Sequence, residues 1–209
     1  YEKKFKAIRP DQPKPPPSTA STIDDTKYTS VSTLFTASIS RGDVARVADL
    51  LAKGENANGV DHSKTPMLII ACQNGHEDVA QVLLTHGADP MATNTSGNTA
   101  LHAAAFHGKK CEACVKLLLE LPAVTSAIDV QNCLGETAFL LACKKGSPVA
   151  VTLLHAAGAA LNWADPGNIT PLEHAIRWER EENAKLLRGW GAKTIKQWNL
   201  ISREYEKVY

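Results

Sequence analysis

The most reactive side chains in this sequence of 209 residues belong to its cysteines, and two of them, Cys111 and Cys114, form a C-x-x-C pair. Thiolates at this spacing can chelate Zn²⁺ or form a redox-active disulfide. His107 and Cys133 lie nearby in the sequence, but a second C-x-x-C or H-x-x-H pair at the spacing of a zinc site is missing. We therefore expect reduced thiols without a metal here, and a metal or redox module is kept as an alternative.

The sequence also lacks the short motifs with which enzymes bind phosphates or activate nucleophiles. It contains no G-x-G-x-x-G, no P-loop and no G-x-S-x-G motif, and no pair of acidic residues isolated in an apolar segment. We therefore predict that the chain is not an enzyme and uses no cofactor.

Charge and hydropathy argue against two broad classes of partner. The chain has 23 basic and 22 acidic residues, so its net charge of +1 gives no bulk attraction to nucleic acid or to a membrane surface. Its longest apolar runs, 67–72 and 138–143, are far shorter than the roughly 20 residues that cross a bilayer. We expect a soluble chain that neither enters a membrane nor binds nucleic acid. Five cysteines in a chain of this size indicate a reducing compartment.

The candidate residues are positioned by a sequence unit that recurs along the chain. Its best copy, N-T-S-G-N-T-A-L-H-A-A-A-F-H-G, spans residues 94–108. Leu101 of this copy has counterparts at Leu68, Phe139 and Leu172, at successive intervals of 33, 38 and 33 residues. A nearly fixed period of this length indicates a repeat architecture, in which neighbouring units stack to share one core.

Each unit predicts two helices joined by a turn. In the fifth unit, Thr170 is placed to cap the first helix, and Glu173 completes a capping box. In units two to four, Gly75, Gly108 and Gly146 are expected to end the first helix in the left-handed conformation. The glycines expected to end the second helices are Gly54, Gly87, Gly158 and Gly191.

The segments between and within units add further predictions. Turns around Gly97 and Gly135 predict hairpin tips that project from the helices. Unit two has P-M-L before its first helix, so Thr65 falls one position early and the cap of that helix is left open. Unit three carries five extra residues, which we place as two in the turn at 109–111 and three after Leu119.

Three segments carry a family resemblance: T-A-L-H-A-A-A-F-H-G, T-P-L-E-H-A and G-H-E-D-V-A-Q-V-L-L-T-H-G-A-D-P. Together with the 33-residue period, they closely resemble the ankyrin repeat across residues 32–193. The resemblance implies an all-α solenoid of about five helix-turn-helix units with projecting β-hairpin loops. It also implies structural roles for His102 and His76. The function it implies is non-enzymatic protein-protein interaction, in which a partner segment binds the concave face formed by hairpin tips and first helices.

By the same resemblance, the positions that contact partners in ankyrin repeats form a chemically uneven surface in this chain. The first half is small and polar, whereas the second half is aromatic and cationic. Aromatic anchors beside cations suit an acidic or extended segment of another protein, and ordinary exposed surface is the alternative interpretation. The predicted partner-binding residues are Phe106, His107, Leu134, Glu136, Lys144, Lys145, Ile169, Arg177 and Trp178.

Two flanking segments do not follow the repeat. Residues 1–31 are rich in proline and carry five basic and two acidic residues through Pro17, which predicts an extended arm or a disordered tail. Residues 194–209 predict an amphipathic helix behind Thr194, which either caps the stack or docks on a partner. The apolar positions of this helix are Ile195, Trp198, Ile201, Tyr205 and Val208.

These segments support an alternative function, a structural subunit of a large multiprotein assembly that is anchored by the arm and the C-terminal helix. The chain begins at Tyr1 and has no apolar signal core, so we expect either a fragment or a mature chain whose targeting segment was removed. The corresponding locations are the cytoplasm or, for a cleaved chain, an organelle such as the mitochondrion or a plastid.

Overall fold

The computed structural model of the chain describes residues 31–197. Residues 1–30 of the predicted arm and 198–209 of the predicted C-terminal helix lie outside the described residues, so both predictions and the domain boundaries at 31 and 194 stay predictions. The start of the helix is described: the Thr194 amide donates to Gln197 Oε1 at 2.8 Å, and the Gln197 amide donates back to Thr194 Oγ1 at 3.4 Å. These hydrogen bonds confirm Thr194 as a helix cap.

The described residues are mostly helical. Their α-helices are α1 (Thr33–Arg41), α2 (Val44–Ala52), α3 (Met67–Asn74), α4 (Glu77–Thr85), α5 (Ala100–Phe106), α6 (Glu112–Leu119), α7 (Pro122–Ser126), α8 (Ala138–Lys145), α9 (Pro148–Ala156), α10 (Pro171–Arg177) and α11 (Glu181–Gly189). No helix in this described part is long and apolar enough to span a bilayer.

The helices form two layers. The first helices of the units, α1, α3, α5, α8 and α10, pack on one another in chain order, and the second helices, α2, α4, α6, α9 and α11, do the same beside them. Within each unit the two helices also pack together. This arrangement is the five-unit, all-α solenoid that the repeat predicted.

One apolar core runs through the stack, because each first helix packs against the first helix of the next unit and the inner ones, α3, α5 and α8, are covered on both sides. The repeat places a fully buried alanine in each of four first helices, and the absence of a long side chain there lets the helices approach closely. These alanines are Ala71, Ala104, Ala142 and Ala175. Cys72 and Cys143 are also fully buried, which confirms them as small core residues.

The caps agree with the sequence. Thr170 Oγ1 accepts a hydrogen bond from the Glu173 amide at 3.3 Å, and Glu173 Oε2 accepts from the Thr170 amide at 2.9 Å, so the predicted capping box is formed. The N-cap residue of α3 is Pro66, and no side chain caps this helix. Thr65 therefore does not cap α3, which answers the question left open by the P-M-L sequence.

The prediction for the glycines that follow the first helices is correct at two positions and wrong at one. Gly75 and Gly108 have φ angles of 79° and 74°, in the left-handed region, whereas Gly146 has φ −75°. A Cβ atom on Gly146 would lie 2.7 Å from the carbonyl oxygen of Ala105. It would lie equally close to the Cα and the carbonyl oxygen of Ala142 in α8, so glycine is required here by crowding from the neighbouring unit and from α8 rather than by the backbone angle.

The hairpin loops are held by few backbone pairs. Two isolated antiparallel bridges, Val60 with Pro66 and Gln131 with Thr137, lie at the bases of loops two and four among the described residues. Adjacent loops also contact each other, since the Cys133 amide donates to the Ser96 carbonyl at 3.0 Å. The projecting loops are thus stacked like the helices below them.

The insertion in unit three lies where the sequence placed it. The extra residues of the helix-helix turn form a short 3-10 helix, Gly108–Cys111, and those after α6 form α7, Pro122–Ser126. Both additions leave the packing of α5 against α8 intact.

Candidate functional site

The C-terminal ends of three first helices bring most of the predicted binding residues together. Phe106 ends α5, Lys144 and Lys145 end α8, and Trp178 is the C-cap residue of α10. Because α8 packs between α5 and α10, these ends lie side by side. We call the surface formed by the hairpin loops and the exposed sides of the first helices the first-helix face.

Lys145 lies between two aromatic rings on this face. Its Nζ atom is 5.0 Å from the ring centroid of Phe106 and 4.9 Å from that of Trp178. Both distances are within the range of a cation-π interaction. Trp178 nevertheless remains 41% exposed, so part of its indole is free to contact another molecule. We call Phe106, Lys145 and Trp178 the aromatic-lysine cluster.

The neighbouring Lys144 shares one ring of this cluster, since its Nζ atom is 5.8 Å from the Trp178 centroid, but unlike Lys145 it also has an acidic partner. Lys144 Nζ forms an ion pair with Glu136 Oε1 at 3.0 Å, and the two side chains are only 22% and 10% exposed. Glu136 Oε2 also accepts a hydrogen bond from Asn132 Nδ2 at 3.4 Å. The structure thus places Glu136, a predicted partner contact, below the surface, where its carboxylate is occupied by Lys144.

His107 packs edge-on against Phe106, with ring centroids 5.3 Å apart. Partial burial, with a smaller contribution from the charge of Lys110, lowers the pKa of His107 below its usual 6.5. The imidazole is therefore neutral at pH 7. His107 adds contact area beside the cluster but no positive charge.

The remaining predicted residues lie at the edges of this surface. Leu134 is 68% exposed at the hairpin tip of unit four, and its amide donates to Asn132 Oδ1 at 2.9 Å, which fixes the loop. Arg177 is exposed and Ile169 is half-buried. The length of α8, about 12 Å for eight residues, separates the loop of Leu134 from the aromatic-lysine cluster.

Two exposed residues of unit five, Ile176 and Arg180, are not among the predicted binding residues. Ile176 is 46% exposed, because α10 is the last first helix packed in the described stack. Arg180 was not predicted, yet its Nε atom donates to the Lys144 carbonyl at 3.5 Å. The repeat pattern stops after unit five, and this feature of the sequence could have predicted the exposure of Ile176.

The C-x-x-C pair lies inside the core. Cys111 and Cys114 are fully buried, and the described residues contain no group of three or more His, Cys, Asp or Glu side chains suited to a metal. Burial raises the pKa of Cys111 to about 11. A hydrogen bond between Cys72 and Cys114 raises the pKa of the first thiol and lowers that of the second. The cysteines thus belong to the packing between units two and three.

Stacked helix pairs with contacting loops and an exposed aromatic-cationic surface define a class of protein, the helical repeat solenoids that present an extended binding surface. A family model described as ankyrin repeats (3 copies) matches residues 34–129 and 121–197. The chain belongs to the ankyrin-repeat family. Ankyrin repeats indicate a protein-protein interaction module.

Relatives with different names share the repeat region. Glycerophosphocholine phosphodiesterase gde1 of Schizosaccharomyces pombe is 32% identical over 128 residues, which are 61% of this chain and 11% of that protein. The B-cell lymphoma 3 protein homolog of Mus musculus is 33% identical over 138 residues, 64% of this chain and 30% of that protein. NAD-capped RNA hydrolase NUDT12 of Pongo abelii is 32% identical over 91 residues, 43% of this chain and 20% of that protein. The chain therefore spans less than a third of each of these relatives, two of which are named as enzymes.

Proposed function

We propose that this chain is a non-enzymatic module that binds an extended segment of a partner protein on its first-helix face, the concave side of the solenoid. Units three to five supply most of the contact. The observation that supports this proposal is the exposure of Leu134 and Trp178, two large apolar side chains from the loop of unit four and the first helix of unit five. Exposed aromatic residues beside cations are typical of the residues that dominate interface energies.

The exposed part of Trp178 is large enough to matter for affinity. A tryptophan presents about 250 Å², and 41% of the residue is exposed, which leaves about 100 Å² to be covered by a partner. At about 25 cal/mol per Å², covering this area contributes about 2.5 kcal/mol before the cost of association. Loss of this contact is expected to weaken binding by more than tenfold.

The test compares Trp178→Ala with Val149→Ala as the matched control. Val149 is also exposed, but it lies at the start of α9 in the second-helix layer. Partners captured by the wild-type chain are quantified by mass spectrometry, and the capture is repeated with each variant. We expect Trp178→Ala to lose the partner and Val149→Ala to keep it. Equal capture by both variants, with unchanged circular dichroism, would contradict the proposal.

A further inference from the structure

We infer that the aromatic-lysine cluster is a carboxylate subsite, in which Lys145 binds an acidic side chain of the partner segment and the adjacent Lys144 does not. This inference rests on the proposed function, because it assigns the chemistry of one point on the proposed binding face. Lys144 and Lys145 are neighbours in sequence and differ in the groups that surround their ammonium ions.

Lys144 is already neutralised within the protein. Its ammonium is 3.0 Å from the Glu136 carboxylate, and both groups are largely shielded from solvent. An acidic side chain that approached Lys144 would also approach Glu136, whose negative charge opposes it. Lys144 therefore contributes little net attraction for an anion.

Lys145 is held in place but is not neutralised. The faces of Phe106 and Trp178 attract its ammonium through their ring quadrupoles, yet aromatic carbon provides no charged acceptor for its N–H groups. Among the described residues, no carboxylate forms an ion pair with Lys145. The side chain is exposed, so its donors can reach a partner. Because the rings already restrict the lysine, less rotamer entropy is lost when a carboxylate binds.

The charges around the cluster favour an anion over a second cation. Arg177 ends α10, and Arg180 lies against the carbonyl of Lys144, while the exposed Glu179 between them supplies one opposing charge. His107 is neutral at pH 7, as described above. The two rings could in principle hold an ammonium from a partner, but Lys145 occupies that position.

The apolar surroundings define the residues that flank the acid. Trp178 offers exposed indole directly beside the ammonium, so a large apolar side chain next to the acidic residue is expected. Leu134, in the hairpin loop before the N-terminal end of α8, is the second apolar contact. An extended segment rises about 3.3 Å per residue. A segment that crosses from the loop to the cluster therefore has its two contact residues at least about four positions apart.

A library of random 12-residue peptides displayed on phage, selected on the immobilised full chain, tests this inference. We expect the selected peptides to carry Asp or Glu beside a large apolar residue. A synthetic selected peptide is then titrated by fluorescence polarisation. Lys145→Gln is expected to weaken binding about tenfold or more, and Lys145→Arg to retain most of it. Lys116→Gln, an exposed lysine of α6 in the second-helix layer, is the matched control and is expected to change nothing.

The acidic residue of the peptide is changed as well. Asp→Asn or Glu→Gln in the peptide is expected to weaken binding to the wild-type chain by the same factor, and to cause no further loss with Lys145→Gln. Binding is also expected to weaken as salt is raised, because the contact is exposed. A phosphoserine peptide that binds more than tenfold tighter than the acidic peptide would overturn the carboxylate assignment in favour of a phosphate.

The failures of the two proposals can be distinguished. If the selected peptides bind Trp178→Ala and Leu134→Ser as tightly as wild type, the first-helix face is not the binding site and the proposed function fails. If those variants weaken binding but the peptides are neutral or basic, or Lys145→Gln has no effect, the carboxylate subsite alone is wrong. A selection that yields no peptide dependent on the first-helix face counts against both.

Discussion

His102 links units three and four as a neutral imidazole, and this predicts a loss of stability in acid. The residue is 1% exposed. Its Nε2–H donates to the Glu136 carbonyl at 3.2 Å, and Nδ1 accepts from Thr99 Oγ1 at 2.8 Å and from the Thr99 amide at 3.3 Å. A second proton on Nδ1 would face these donors, so protonation breaks the cap of α5 and buries a charge.

The size of the effect follows from the pKa. Burial lowers the pKa of His102 from 6.5 to about 4, and each unit corresponds to about 1.4 kcal/mol. Below pH 6.5 the unfolded chain binds the proton, whereas the folded chain does not bind it until about pH 4. The contribution of His102 is therefore fully present above pH 6.5 and is lost as the pH falls towards 4. The expected loss in the free energy of unfolding is about 3 kcal/mol.

The assay compares the wild type with His102→Gln by urea unfolding, followed by circular dichroism between pH 7.5 and 4. Glutamine can replace histidine in a capping box but does not titrate. Other groups, including the Asp129 carboxyl, whose pKa is raised by burial, contribute to both proteins and cancel in the difference. We expect the stability difference in favour of the wild type to shrink by about 3 kcal/mol across this range.

A stability difference that does not change with pH would refute this reasoning. A second measurement is independent of unfolding: an NMR titration of the His102 ring in the folded chain should give a pKa well below 6.5. A normal value would show that the ring is not held neutral between the units.

Three further predictions concern caps, packing and thiols. Thr170→Ala removes the cap of α10 and is expected to lower the free energy of unfolding by about 1 kcal/mol. Thr65→Ala removes no cap and is expected to change the free energy of unfolding by less than about 0.5 kcal/mol. Equal losses would contradict the cap assignment. Gly146→Ala is expected to cost about 1–3 kcal/mol because its Cβ meets the neighbouring unit, and an unchanged melting temperature would exclude that contact. Of the five cysteines, Cys133 alone is exposed, so Ellman's reagent should label one thiol rapidly in the folded chain and five after denaturation. Cys133→Ser should abolish the rapid phase, and a remaining rapid phase would show that the core opens.

The architecture could be predicted from sequence because each unit is determined locally. The spacing of Leu68 and Leu101 sets the period, and Thr170 and Glu173 mark a helix start by chemistry confined to four residues. The insertion in unit three was also placed correctly, since the flanking units define where two or three additional residues interrupt the pattern. Local hydrogen bonds and apolar periodicity are sufficient for these features.

Contacts beyond the repeat pattern required the tertiary structure. Sequence grouped Lys144 and Lys145 as one basic pair, but in the structure Glu136 neutralises the first and two rings flank the second. Gly146 was assigned a left-handed backbone angle, and it is glycine because backbone atoms of the neighbouring unit and of α8 crowd the position of a Cβ atom.

By itself, then, the sequence determined the repeat and its helices, and it predicted a set of partner-contact residues. The structure decided which of those residues are exposed and which are paired within the protein. The physical reason is that the repeat pattern records what each unit needs to stack. The surroundings of a side chain such as Lys145 depend on atoms that the adjoining units supply from more than 30 residues away, such as the rings of Phe106 and Trp178.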